Sequence, residues 1–151
     1  MSTPKLESRW LMNLDISIDP PSVVTPTMIV INVIEARAEG PRIKASAIAP
    51  SGDWARIQDN GNWKIDARLA FKTDDDEAFF CYYSGVILMT ESLNQRIAAG
   101  ENIPGSDMYL RAAPNFETAS EKYAWLNDIL TVGKVKSFGG GKVSYDIFEI
   151  L

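Results

Sequence analysis

The sequence predicts a mainly all-β fold, a single antiparallel β-barrel of roughly eight to ten strands, lipocalin-like or calycin-like, with one short helix. Three observations predict it. Short runs rich in β-branched and aromatic residues recur along the chain, such as Met28-Ile29-Val30-Ile31-Asn32-Val33-Ile34. Turn residues separate them, most clearly Asp59-Asn60-Gly61-Asn62 and Phe138-Gly139-Gly140-Gly141. Helical periodicity with caps at both ends occurs at Thr90–Ala99 alone. The last strand-like run reaches the final residue, where it can help close the sheet on itself, so a barrel is favoured over a sandwich.

A chain of 151 residues suits one domain with a sizeable core. Residues 1–9 read as a flexible polar lead and residues 10–151 as a single barrel domain. Trp10–Ile18 alternates at its end through Leu14, Ile16 and Ile18, and Asp19-Pro20-Pro21 stops it, because proline cannot donate to a ladder. Thr27–Glu35 is too short and too branched for a helix. Gly40-Pro41 breaks the chain before the strand Arg42–Ala49, and Pro50-Ser51-Gly52 turns it into a central hairpin.

That hairpin carries the best local signal. Asn60-Gly61 supplies the two positive-φ positions of a type I′ turn, so Asp59 is expected to pair with Asn62. In that register Asp53 faces Arg68, and Asp53, Asp66 and Arg68 share one face of the sheet. Trp54, Trp63, Ile65, Ala67, Leu69 and Phe71 share the other. Thr73–Glu77 is an acidic turn; it lacks the spacing and closing glutamate of a calcium loop and reads as a solvated hairpin tip. The strand Ala78–Ser84 follows, and its Cys81 reads as a buried packing residue.

Thr90 can cap the helix and Gly100 can close it. Pro104-Gly105 ends the next loop, and Met108–Ala113 is a strand carrying Tyr109 and Arg111 on one face. Pro114–Asn127 is dense in aromatic and polar residues. The strands Asp128–Lys136 and Lys142–Ile150 follow, joined by a glycine run. That run lacks the strand–glycine–helix context of a phosphate cradle and reads as a flexible hairpin turn.

Composition narrows the function. A net charge of −5 without a dense Lys/Arg cluster argues against nucleic acid as partner. No apolar run approaches transmembrane length and no signal-peptide core is present, so no membrane partner is expected. A single cysteine suggests a reducing, cytoplasmic setting. The chain has no histidine, which excludes histidine-based triads and the usual zinc sites; no metal or cofactor is expected. Acid–base work falls to Asp, Glu, Tyr, Lys or Arg-assisted groups.

Blocks of residues resemble a known family. Glu39-Gly40-Pro41-Arg42, Gly52-Asp53-Trp54, Asp59-Asn60-Gly61, Asp66-Ala67-Arg68, Tyr109-x-Arg111, Phe116-Glu117 and Tyr123-x-Trp125-Leu126-Asn127 occur in order. This series resembles the bacterial and fungal domain-of-unknown-function 3237 group, also called uncharacterised protein family 0311. The resemblance covers nearly the whole chain and implies a small lipocalin-like barrel without an established activity. The chain departs from the pattern at Ala45, where glycine is commoner, and at the acidic tip Asp74–Glu77.

Two orientations of the central hairpin are open. With the apolar face inside, Asp53, Asp66 and Arg68 form an exposed ion pair cluster worth about 0–1 kcal/mol. With the charged face inside, they line a lumen together with Arg111 and Tyr109, and must pair there. Three functions follow. An acid–base enzyme of isomerase, cyclase or lyase/hydratase type would use Asp66 or Glu117 as proton acceptor, with Arg68 or Arg111 stabilising a developing anion. Its substrate would be a small, partly aromatic carbonyl or carboxylate compound, held by Asp53, Trp54, Tyr109, Arg111, Trp125 and Asn127. A carrier barrel would use the two arginines to clamp a small hydrophobic acid. An interaction protein would form a homodimer through its apolar sheet face. The segment Phe116–Asn127 reads both as a loop anchored on a barrel end and as a lid over the mouth.

Overall fold

The tight turn of the central hairpin sets the geometry of the molecule. In a computed structural model, which describes residues 2–151, the turn has three loop residues, not two. Gln58 faces Asn62 through a Gln58 N–H···O bond of 2.8 Å, and Gly61 sits at φ 87° with its amide donating to the Gln58 carbonyl. This is a three-residue loop closed by a left-handed glycine, and Asn60 keeps a negative φ. The pairing therefore shifts by one residue from the expected register: Asp53 faces Ala67 and Ile57 faces Trp63. The shifted register wins because it turns Ala55, which is wholly buried, and Ile57 toward the same interior as Trp63, Ile65 and Ala67.

The strands are β1 (Ser8–Ile18), β2 (Ser22–Thr25), β3 (Met28–Glu39), β4 (Lys44–Ile57), β5 (Trp63–Thr73), β6 (Ala78–Ile87), β7 (Ile103–Pro104), β8 (Leu110–Glu117), β9 (Thr131–Gly139) and β10 (Lys142–Ile150). One helix, α1, spans Glu91–Ala98. Eight strands in the order β1-β10-β9-β8-β6-β5-β4-β3 form an antiparallel sheet that closes by pairing β3 with β1. The expected barrel is thus present, with β2 and β7 as short additions that the sequence reading missed. Of the expected lead, Met1 lies outside the described residues, and β1 begins at Ser8, just before Trp10.

The expected turn at Pro50-Ser51-Gly52 is a bulge inside one continuous strand. Ala49, Pro50 and Ser51 oppose Leu69 alone, between the pairs Ile48–Ala70 and Gly52–Arg68. Two extra residues preserve the alternation, so Ala45, Ala47, Asp53 and Ala55 all project inward. Ser51 stitches the irregularity: its hydroxyl donates to the Ile48 carbonyl at 2.9 Å and accepts the Ala70 amide at 3.1 Å. Thr90 caps α1 by accepting the Leu93 amide at 3.1 Å, and Gly100 leaves the helix at φ 74°, as the sequence indicates. The glycine run at 139–141 is a close-approach turn: a side chain at Gly139 would meet the Glu101 carbonyl oxygen at 2.0 Å.

The barrel has two unlike ends. At one, Phe71, Phe79 and Phe116 pack together, the first two stacked with centroids 5.0 Å apart. The segment after β8 folds over them and buries Tyr123 and Leu126. The other end, ringed by Ile18, Trp63, α1 and the β9–β10 turn, holds open recesses. Among the described residues, no helix is long and apolar enough to cross a membrane.

Candidate functional site

Along β5, Trp63, Ile65, Ala67, Leu69 and Phe71 point into the barrel, and the paired residues of β4 and β6 point in beside them. Asp53, Ala67 and Tyr83 are directly paired in turn, so they form one row around the wall. Ala67 offers only a methyl group between the carboxylate and the phenol. Tyr145, from β10, reaches in to meet Tyr83 edge to face, with ring centroids 5.8 Å apart. The three side chains border a cavity of about 40 Å³, enough for one or two waters. Its other walls are apolar, from residues such as Ile16, Ile65, Leu69 and Ile87.

Among the described residues, Asp53 is the one charged residue lining this cavity. Its Oδ1 accepts the Asp66 amide at 2.9 Å. Burial pushes its carboxyl up to about 6; the Asp66 amide bond opposes the rise and the nearby Asp66 charge adds to it. Burial also raises the Tyr83 phenol well above its ordinary value, helped by its neighbours Tyr145, Cys81 and Asp53. Tyr145 rises from burial and then from the Asp53 charge. Both phenols therefore stay neutral and keep a proton to donate. A carboxylate that titrates close to neutrality, set beside two neutral hydroxyls in an apolar chamber, can accept a proton from a bound molecule and stabilise the oxygen that gains charge. Cys81 is buried and its thiol is pushed up to about 12, which fits the packing role read from the sequence.

The expected grouping of Asp53 with Asp66 and Arg68 is corrected by the register. Asp66 and Arg68 lie on the outer face as a 3.7 Å ion pair, each more than half exposed. Trp54 is also on that face, half-buried, with the Arg68 guanidinium 5.8 Å from its ring centroid. Arg111 alternates outward on β8 between the buried Leu110 and Ala112, stacks on Tyr109 at 4.6 Å and donates to the Leu110 carbonyl. No lysine or arginine among the described residues lines the cavity, so the expected arginine lining is not what the barrel contains. Glu117 is exposed at the end of β8.

Trp125 and Asn127 belong to the closed end. Trp125 is half-buried under the Arg42 guanidinium, 3.7 Å from its ring centroid. The Asn127 side chain accepts the Thr118 amide and donates to the Thr118 carbonyl, at 2.9 and 3.0 Å. Phe116–Asn127 is therefore an anchored plug at the end opposite the mouth, not a lid over it. The acidic tip is docked onto this plug: Asp75 accepts from Thr73, Tyr123 and Lys122, and Asp74 pairs with Arg37. Among the described residues no three His, Cys, Asp or Glu side chains converge as metal ligands.

Of the predicted site residues, the lumen thus receives Asp53 alone. Tyr83 and Tyr145 were missed. Each stands in a strand with clean alternation, Phe79-x-Cys81-x-Tyr83 and Val143-x-Tyr145-x-Ile147, which is the signal that would have placed them inside.

Solved structures of other proteins share the fold. A conserved protein of unknown function from Rhodopseudomonas palustris superposes with a TM-score of 0.92 at 24% identity, covering 99% of this chain and 100% of its own. A beta-barrel like protein from Acinetobacter baumannii gives 0.78 at 22% identity, covering 99% of each chain. A structure described as an enzyme from Penicillium herquei gives 0.70 at 18% identity, covering 100% of this chain and 99% of that one. The family model described as "Protein of unknown function (DUF3237)" matches residues 4–150, and the chain belongs to that family.

Proposed function

We propose that the barrel binds a small carbonyl compound through its open end and acts on it by cofactor-independent acid–base chemistry, of the isomerase, cyclase or lyase type. The observation that carries this reading is the carboxylate of Asp53 in an otherwise apolar lumen beside Tyr83 and Tyr145. Asp53 removes a proton from the carbon next to the carbonyl. The electron pair moves onto the carbonyl oxygen, where the tyrosine hydroxyls donate hydrogen bonds. The protonated Asp53 then returns the proton to a different carbon or to a leaving oxygen; in a cyclisation it instead takes the proton of the attacking hydroxyl and delivers it to the carbon next to the carbonyl. The fold likeness to a protein described as an enzyme supports catalysis over carriage.

The test is NMR in deuterated buffer with small enones and ketones, recording line-broadening and proton–deuterium exchange together. Exchange is expected in the wild-type protein, absent in Asp53→Asn, and reduced about 10²-fold in Tyr83→Phe or Tyr145→Phe. Its rate should rise with pH through about 6 and then level off, because the carboxylate is the reactive form. Exchange that survives Asp53→Asn sinks the assignment. Broadening without exchange in the wild type identifies a carrier barrel instead.

A further inference from the structure

The small lumen does not end at Trp63. A second recess of about 250 Å³ lies outside it, bounded by Pro20, Pro21, Ile97 and the β9–β10 glycine turn. The two spaces share Ile18, Ile31, Trp63 and Phe138 as walls, so the recess borders the chamber that holds Asp53. Its floor is aromatic and its sides are aliphatic, which suits a flat apolar body. At its rim stand two charged residues. Asp19 is engaged by Asn32, whose Nδ2 donates to its carboxylate at 2.7 Å. Lys142 has no carboxylate within ion-pair distance among the described residues, which leaves its ammonium available to a ligand.

We propose that this recess is the outer half of the site and selects a flat apolar molecule with chemically distinct ends, a neutral hydroxyl or ketone that enters the lumen and an acidic oxygen group that meets Lys142. The proposal rests on the reading of the lumen as the binding chamber. The volumes fix the direction of binding. The inner chamber admits only the few atoms of a polar head, while the outer recess takes the body. Charge fixes it independently: an anionic end beside the Asp53 carboxylate would be repelled in an apolar enclosure, whereas at the rim it gains the Lys142 cation and solvent screens the Asp19 carboxylate. Lys142 and Ile97 are then specificity-determining residues. Neither is needed for the proton transfer itself.

The probes are 6-hydroxy-2-naphthoate, which has both ends, and 2-naphthol, which has the head and body alone. Titration followed by amide NMR is expected to shift Ile18, Gly139, Gly140, Gly141 and the Trp63 indole. Calorimetry is expected to show that Lys142→Gln weakens the naphthoate about tenfold and leaves 2-naphthol unchanged. Ile97→Trp, which fills the recess from the helix side, is expected to abolish binding of both. Shifts confined to another surface, equal losses for the two probes in Lys142→Gln, or no binding of either probe to the wild type would overturn the proposal. The two readings fail separately. Ketone exchange without naphthoate binding overturns the recess alone, and naphthoate binding that persists in Asp53→Asn without wild-type ketone exchange overturns the catalytic assignment alone.

Discussion

Asp53 is placed where its charge is costly. Folding raises its carboxyl from the ordinary 3.8 to about 6, so the folded state holds that proton more tightly than the unfolded chain does. The resulting stabilisation is complete below about pH 4 and disappears as pH climbs through 6. At pH 7 the barrel therefore carries a poorly solvated carboxylate, at a cost on the order of 2 kcal/mol once partial solvent access is allowed for. Asp53→Asn keeps the oxygen that accepts the Asp66 amide and removes the charge. It should raise the urea midpoint at pH 7 and leave it nearly unchanged at pH 4. A variant that is stabilised and inactive together would mark the carboxylate as functional, since its removal would then benefit the fold alone. The importance of this residue was legible in the sequence, and its neighbours were not. The sequence brought Asp53 to the central hairpin and to a family block, but one residue of register put it with Arg68 instead of Ala67. That error has a local origin: Asn-Gly suits a two-residue loop, and the interior demand of Ala55 and Ile57 selects the three-residue one.

At the scale of elements, the β5–β6 hairpin and the plug after β8 act as one unit. Asp75 joins them by accepting from the Thr73 hydroxyl at 2.7 Å, from the Tyr123 hydroxyl at 2.8 Å and from the Lys122 ammonium. Those bonds hold its carboxyl far below the usual carboxylate range, the Lys122 bond most strongly, followed by Thr73 and Tyr123. A depressed pKa means that the tie is intact above about pH 4 and is released only in stronger acid. Asp75→Ala should accelerate amide hydrogen exchange across 118–128 without changing it in β4 or β10. Uniform acceleration would show that the tie supports the whole fold and not the plug. The tip read as solvated from sequence because its partners, Arg37, Lys122 and Tyr123, are distant in the chain. Thr90, by contrast, was readable as a cap because its partner Leu93 is three residues away.

The whole molecule depends on a single circular sheet. β10 is held on both sides, by β1 and by β9, and it contributes the buried Val143, Tyr145 and Ile147. Removing residues 147–151 should open the wall and abolish cooperative thermal unfolding, which calorimetry would show as the loss of a sharp transition. Retention of that transition would mean that the β1–β3 seam alone suffices to close the barrel. Closure was legible as a class from strand count and turn chemistry. Which end would be open was not, because the plug is fixed by distant pairs such as Arg42 with Trp125 and Asp75 with Tyr123. The difference between the ends has a kinetic consequence. A vessel stoppered at its base has one neck, so any molecule that enters the lumen must leave it by the same passage. A second reactant larger than water cannot slip past a molecule already seated over Trp63. Bimolecular chemistry in this lumen would therefore follow a compulsory order of addition, with the smaller partner entering first and the larger one confining it.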